Sequence, residues 1–270
     1  SLRRQRQMCI RDSVAAYCPL PEEGGGNAAC GDVIVLKGDT NSLKEGLCIV
    51  EELIPEDLPS WLWWNGSLDE DPEILSQLAL PARRIILDSA LGEPSHCLNV
   101  LQERIKSGQA VNDLNWLRLR TWRETLAMVF DPPNRRDSLS NIINLDIDIQ
   151  GDHLVQGLLL ASWIADKLGW ESTLEVEKEG QSYRTRFKRP DNLMVNFRLM
   201  PLPLGNPSIN PGQIIGLRLI CQSTTNEKAG LCVILASESG ECMRLEAGGM
   251  ASMELVEEVV HNQYLSLIHI

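Results

Sequence analysis

The chain has 270 residues, and its 25 basic and 37 acidic side chains give a formal net charge of −12, so it can bury a sizeable core as one large domain or two compact ones. So acidic a surface repels phosphate backbones and argues against general nucleic-acid binding. No run approaches the roughly 18 apolar residues of a membrane span, and the amino end lacks the apolar core of a secretory signal, which predicts a soluble, cytoplasmic protein.

In chain order, residues 1–12, with Arg3, Arg4, Arg6 and Arg11 and no periodicity, read as non-native sequence, as do residues 265–270 at the other end. Residues 1–30 form a disordered leader, and the glycines within 22–27 make a flexible linker into the first strand. Residues 33–36, Val-Ile-Val-Leu, are an apolar run of buried-strand type. Thr40, Asn41 or Ser42 then caps a helix carrying Leu43, Leu47, Val50, Leu53 and Ile54, and Pro55 ends it. A second strand over 59–65 is dense with Trp61, Leu62, Trp63 and Trp64 and closes at Asn65-Gly66. Asp71-Pro72 opens a helix through Leu78, 84–88 is a third strand, and a helix signal from Pro94 to Ile105 ends near Gly108. Strands alternating with helices, the strands continuously apolar, predict a parallel sheet covered on both faces, so 31–136 reads as a Rossmann-like α/β domain. Its first turn, 37–41, has neither a Gly-x-Gly-x-x-Gly run nor a Walker lysine, which leaves dinucleotide binding unsupported.

Residues 113–133 lie where two halves of different texture meet. Residues 113–119 are expected to run extended, with Trp116 packed down and Arg118 and Arg120 outward. Thr121 and Glu124 have the spacing of a reciprocal capping box, which starts a helix at Trp122. Trp122, Leu126, Val129 and Phe130 then form one apolar stripe, and Pro132-Pro133 stops the helix. A helix of about nine residues is marginal alone, so its stripe must be buried against other elements.

Past Arg135 and Arg136, residues 137–264 read as an α+β domain, mostly antiparallel, with a helix at each end. Leu145, Ile147 and Ile149 alternate with Asp146 and Asp148 in a strand. The two carboxylates could hold a metal or serve acid and base roles, but without a nearby histidine, or a third carboxylate other than Asp152, a solvated strand face fits better. Asp152 caps a helix from His153 to Leu168 that Gly169 ends. Strands follow at 172–177, 183–188, 193–199, 214–221, 231–237 and 241–247, with a loop over 201–211 and a closing helix over 252–261. In the second of these strands Arg184, Arg186 and Lys188 share one face, either a solvated or protected edge or a contact for an acidic partner or a phosphate.

Catalytic and metal chemistry find little support. The eight cysteines, at 9, 18, 30, 48, 97, 221, 232 and 242, show no Cys-x-x-Cys pair and no clustered histidine, which argues against zinc and for buried thiols in a reducing compartment. His96 adjoins Cys97, but helix neighbours point about 100° apart. No Gly-x-Ser-x-Gly elbow is present. No catalytic residue, metal or cofactor is predicted. The last hairpin, if it centres on Ser239, places Ala236 opposite Cys242. Cys232, four residues along the same strand, would lie roughly 13 Å away.

Three separated blocks carry a family resemblance: Asp113-Leu114-Asn115-Trp116 with Arg118-Leu119, Trp122, Glu124 and Phe130-Asp131-Pro132-Pro133; Leu58-Pro59-Ser60-Trp61-Leu62-Trp63-Trp64; and Gly240-Glu241-Cys242-Met243-Arg244-Leu245-Glu246. Together, over about residues 30 to 260, they closely resemble the OpcA family, glucose-6-phosphate dehydrogenase assembly and effector proteins of cyanobacteria and actinobacteria, whose members carry more sequence before the first strand. The resemblance implies a non-catalytic effector that binds glucose-6-phosphate dehydrogenase, assists its oligomer assembly and raises its activity. Tryptophan and arginine anchor interfaces, which makes Trp61, Trp63, Trp64, Trp116, Arg118, Trp122 and Arg123 the partner-binding candidates, with Asp113, Asn115 and Glu124 of the signature. The resemblance also implies a thioredoxin-responsive cysteine pair at the positions of Ala236 and Cys242. With alanine at 236, Cys242 is the remaining redox candidate and the switch is expected to be lost or relocated. The rival readings are a sugar-phosphate or nucleotide sensor built on Arg118, Arg120, Arg123, Arg135 and Arg136, and a plain scaffold.

Overall fold

A computed structural model describes residues 12–14, 35–37, 39, 41, 44, 46, 47, 50, 59–173, 175–204, 211–222, 230–237, 242–249 and 252–260. The chain divides into two compact units, Ser1–Trp64 with Glu70–Ile86 and Asn65–Asp69 with Leu87–Ile270.

In the first unit, β1 (Asp12–Val14) and β2 (Val35–Lys37) pair antiparallel, with Ser13 opposite Leu36. β2 overlaps the first predicted strand; Val33, Ile34 and the 22–27 linker lie outside the described residues. Asn41, Lys44, Gly46, Leu47 and Val50 are helical, as the 40–54 pattern predicts, and the rest of that helix is likewise not described. β3 (Trp61–Trp63), α1 (Pro72–Ala79) and β4 (Arg84–Leu87) then make a β-α-β crossover, β3 and β4 running parallel with Leu62 opposite Ile85. Pro72 opens α1, where a missing N–H is harmless, and the helix buries Ile74, Leu75 and Ala79. The parallel pairing is the predicted one. Continuous burial of the second strand is not found: Trp61 is 64% exposed and Trp63 43%.

In the second unit α2 (Pro94–Lys106) and β5 (Val111–Asp113) come first. The extended run predicted over 113–119 ends at once, because the Asp113 side chain accepts the amide of Asn115 and so caps α3 (Leu114–Arg118). α4 (Arg120–Phe130) starts earlier than the sequence predicts. No capping box forms: its N-cap is Leu119, and Glu124 instead meets Arg120 one turn back at 2.7 Å. The apolar stripe is as predicted, with Trp122, Leu126, Val129 and Phe130 all buried. Pro133 does not stop the chain; at the first position of a new helix its fixed φ suits α5 (Pro133–Arg136), and a 3-10 turn (Asp137–Asn141) follows.

Nine of the described strands then build one sheet, in the order β14-β13-β12-β11-β6-β10-β9-β7 with β8 paired to β9. These are β6 (Ile142–Gln150), β7 (Glu171–Ser172), β8 (Glu177–Glu179), β9 (Ser182–Lys188), β10 (Met194–Leu202), β11 (Ile214–Cys221), β12 (Leu231–Ser237), β13 (Cys242–Gly249) and β14 (Ser252–Val260). β6 and β10 are parallel, and the other pairs are antiparallel, so the predicted mostly antiparallel order stands. β14 replaces the predicted closing helix. Val256, Val259 and Val260 are β-branched and favour a strand, and Gly249 faces Ser252 across a two-residue connection. α6 (Val155–Leu168) begins at Val155 with Leu154 as its N-cap rather than Asp152, and the His153 ring reaches Gly92 O at 3.0 Å. Gly169, in the left-handed region, ends it as predicted. Leu145, Ile147, Ile149, Leu199, Leu217 and Leu235 from one face of the sheet share a core with Leu160 and Ile164 of α6 and the α4 stripe. The helices therefore cover one sheet face. An α/β architecture with a small parallel layer and a larger mixed sheet is the result.

One connection is sterically closed. Gly212 has φ +70, its amide donates to Gln150 O at 3.0 Å, and a Cβ there would lie 1.9 Å from His153 O. Gly180 has φ +61 with no described atom within 4 Å of such a Cβ. Gly212→Ala should lower the unfolding free energy by ~3 kcal/mol in urea, against ~1 kcal/mol for Gly180→Ala, which meets only the backbone penalty. Equal losses would contradict the close approach.

Candidate partner-binding surface

The signature is organised by one buried carboxylate. Asp113 ends β5 and accepts from Ser89 N at 2.9 Å, Ser89 Oγ at 2.7 Å and Asn115 N at 3.1 Å. Burial pushes its carboxyl above the usual range, and these three donors pull the other way. Asn115, fully buried, donates to Ser89 Oγ at 3.2 Å and accepts from Gln156 Nε2 at 2.9 Å. Gln156 Oε1 in turn accepts the amide of Ile214 at 2.8 Å. One chain of hydrogen bonds thus links the segment after β4, α3, α6 and β11, and each buried polar group finds its partner within it.

Beside this network Asp88, its side chain 9% exposed, takes Arg118 in a two-pronged pair, Nη1 to Oδ1 at 2.8 Å and Nη2 to Oδ2 at 2.5 Å. The Asp88 carboxylate holds the Arg118 guanidinium above its usual pKa. Arg118 reaches the surface at 42% exposure, so its predicted outward position holds, although it is tethered. Trp116 is half-buried against the core, and the guanidinium of Arg123 stacks over its ring at 4.0 Å. Burial lowers the Arg123 pKa, and its Nε is buried without a hydrogen-bond partner among the described residues.

The predicted site residues thus sort by depth. Asp113, Asn115 and Trp122 lie inside the second unit; Trp116, Arg118, Arg123 and Glu124 reach its surface from α3 and α4. In the first unit, Trp61 and Trp63 project from β3, with Arg84 over the Trp61 ring at 5.7 Å. Trp64 is half-buried and its amide donates to Ile86 O at 2.8 Å. Asp88, Ser89 and Gln156 belong to the arrangement and are missed by motif reading. Asp88 had a signal, an acid directly after an apolar strand; Gln156, one polar residue in an apolar helix turn, had none.

The remaining chemical candidates resolve locally. His96 turns its Nε2 to Leu68 O at 3.1 Å, and the Cys97 thiol is pushed up to about 12, first by burial and then by Asp69 and other nearby carboxylates, so no Cys-His dyad forms. Asp146 is not on a solvated face: it is 7% exposed and held by Arg218 and Arg198. The arginines of the sensor reading do not converge, since Arg118 binds Asp88, Arg120 binds Glu124, Arg123 stacks on Trp116, and Arg135 and Arg136 donate to the carbonyls of Val129 and Asp131. The last hairpin has a different register from the predicted one. Ala236 faces Arg244, Ser237 faces Met243, and Cys242 pairs on its other side with Val260 of β14. The midpoint of these pairs falls at position 240, one residue beyond the predicted 239; residues 238–241 lie outside the described set. Cys221 and Cys232 are buried and their thiols are pushed up, Cys221 to about 12, by desolvation. Among the described residues no cluster of three or more His, Cys, Asp or Glu is placed to hold a metal ion, and no helix is long and apolar enough to cross a membrane.

Two family models match the chain: the glucose-6-phosphate dehydrogenase subunit N-terminal domain over residues 3–103 and the corresponding C-terminal domain over residues 109–262. A Synechococcus elongatus protein provisionally named OxPP cycle protein OpcA is 34% identical over 254 residues, covering 93% of this chain and 56% of its own length. One of the same name from Nostoc punctiforme is 32% identical over 255 residues, covering 93% and 54%. The chain therefore spans about half the length of the curated relatives it matches. Among solved structures, an oxidoreductase from Sinorhizobium meliloti is similar at 12% identity and a TM-score of 0.49, over 79% of this chain and 61% of that one.

The hydrogen-bond chain generates a direct test. Gln156→Leu keeps the side-chain volume but strands the Ile214 N–H and the Asn115 Oδ1, and should lower the unfolding free energy by ~3 kcal/mol. A urea midpoint equal to that of the unaltered protein would contradict the network.

Proposed function

The chain belongs to the OpcA family of glucose-6-phosphate dehydrogenase assembly proteins, and on that footing we propose that it is a non-catalytic effector acting in the cytoplasm. It binds glucose-6-phosphate dehydrogenase, promotes its oligomer assembly and raises its activity in the oxidative pentose phosphate pathway. One observation carries this reading beyond the family name. The signature residues that do not serve the buried network present a tryptophan stacked with an arginine, and a second, tethered arginine, at the surface, the residue types that dominate interface energetics. Trp61 and Trp63, open on β3, offer the same chemistry from the first unit.

An effector raises its target's activity only by binding the active or assembled state more tightly than the other. Pre-ordered side chains suit that task, because less rotamer freedom is lost on binding; the Asp88 fork and the Trp116 ring hold Arg118 and Arg123 ready. Cys97, Cys221 and Cys232, buried and with raised thiol pKa, are poor targets for thioredoxin exchange, and Cys242 stays the redox candidate of this proposal.

Trp61→Ala combined with Trp63→Ala should weaken dehydrogenase binding about tenfold or more, by the usual weight of interface tryptophans, while thermal stability is unchanged. Arg118→Ala should lose affinity and stability together, because it leaves the Asp88 carboxylate, 9% exposed, without its counter-charge. Undiminished capture of the dehydrogenase by both variants would count against this surface. A dehydrogenase assay in which complex formation leaves the rate unchanged would reduce the protein to a scaffold.

A further inference from the structure

On the sheet face opposite the helices, charged residues fall into register across four strands. Arg184 of β9 faces Arg198 of β10, which faces Asp146 of β6, which faces Arg218 of β11. One row along, Arg186 faces Asn196, which faces Asn144. Strand alternation puts all seven on one face, where they floor a concavity of about 650 Å³ rimmed by Glu175 and Glu177. The lining holds four arginines against three carboxylates, 4 − 3 = +1, in a chain of net charge −12.

Internal pairing does not use up these cations. Asp146 alone serves two guanidiniums: Arg218 donates to it through Nε at 2.9 Å and through Nη2, while Arg198 Nε lies 3.3 Å from its other oxygen. That Nε is buried and makes no hydrogen bond among the described residues. Arg186 approaches its nearest carboxylate, Glu175, only to 3.8 Å. Arg184 gives Nη1 to Glu179 at 2.6 Å and keeps its other donors. Like charges directly opposite each other weaken a strand pair, so the Arg184–Arg198 juxtaposition does not serve the sheet itself.

We propose that this concavity is a binding site for a small dianion, a phosphomonoester or a dicarboxylate, gripped by the guanidinium forks of Arg184, Arg186 and Arg198 with the Asn144 and Asn196 amides beside them. Planar guanidinium donors match the paired oxygens of both chemistries, and a bound dianion relieves the Arg184–Arg198 repulsion. No residue of its lining belongs to α3, α4 or β3, and it stands or falls independently of dehydrogenase binding.

Isothermal titration with inorganic phosphate, glycerol 3-phosphate and malonate tests it, with glycerol as the uncharged control. At least one of the three anions should bind and glycerol should not; phosphate-only or malonate-only binding assigns the chemistry. Arg186→Gln and Arg198→Gln should each weaken that binding about tenfold, the weight of one charge-assisted hydrogen bond. The Arg186 side chain is 56% exposed, so its variant keeps the native near-ultraviolet circular dichroism. Absence of binding by all three anions, binding by both variants equal to that of the unaltered protein, or binding of glycerol as tight as that of the anions would overturn the site.

Discussion

A carboxylate taken out of water has to be met by donors, and the donors that meet Asp113 are what hold the signature in place. Its two oxygens gather Ser89 and Asn115, and from Asn115 the chain of bonds runs on through Gln156 to the Ile214 amide. Each of these contacts is worth only about 1 kcal/mol net, but an unpaired member would cost more than a made bond contributes. The network is therefore a specification more than a source of stability. It sets where α3 begins, and with it the directions of Trp116 and Arg118.

The same logic divides the large sheet. β6 is the central strand, with Leu145, Ile147 and Ile149 fully buried on one side and Asp146 on the other. On the helix side, apolar burial supplies the drive to fold. On the open side, Asp146 organises Arg198 and Arg218 as Asp88 organises Arg118. In both places a nearly buried aspartate fixes an arginine whose side chain still reaches solvent, so the arginines are positioned before any ligand arrives.

Local order was largely legible. The stripe of α4 follows from Trp122, Leu126, Val129 and Phe130 at helical spacing, and the stop at Gly169 follows from its tolerance of the left-handed region. Most strands of the large sheet follow from alternation. Errors arose where local and long-range signals compete. Residues 252–260 carry glutamates and leucine that suit a helix, yet Val256, Val259, Val260 and the waiting edge of β13 decide for a strand. Asp146 reads as solvated because its partners, Arg198 and Arg218, lie far along the chain, Arg218 at a separation of 72 residues. The network was illegible for the same reason: Ser89, Asn115 and Gln156 meet only after folding. Residue type nominates partner candidates but does not give depth: Asp113, Asn115 and Trp122 are interior.

If this chain works on another protein, as proposed, the decisive experiment is sedimentation velocity of glucose-6-phosphate dehydrogenase with and without it. The two should co-sediment, and the dehydrogenase boundary should move to a larger species as the chain is added. Two boundaries that stay where each protein sediments alone, at micromolar concentrations of both, would contradict that proposal.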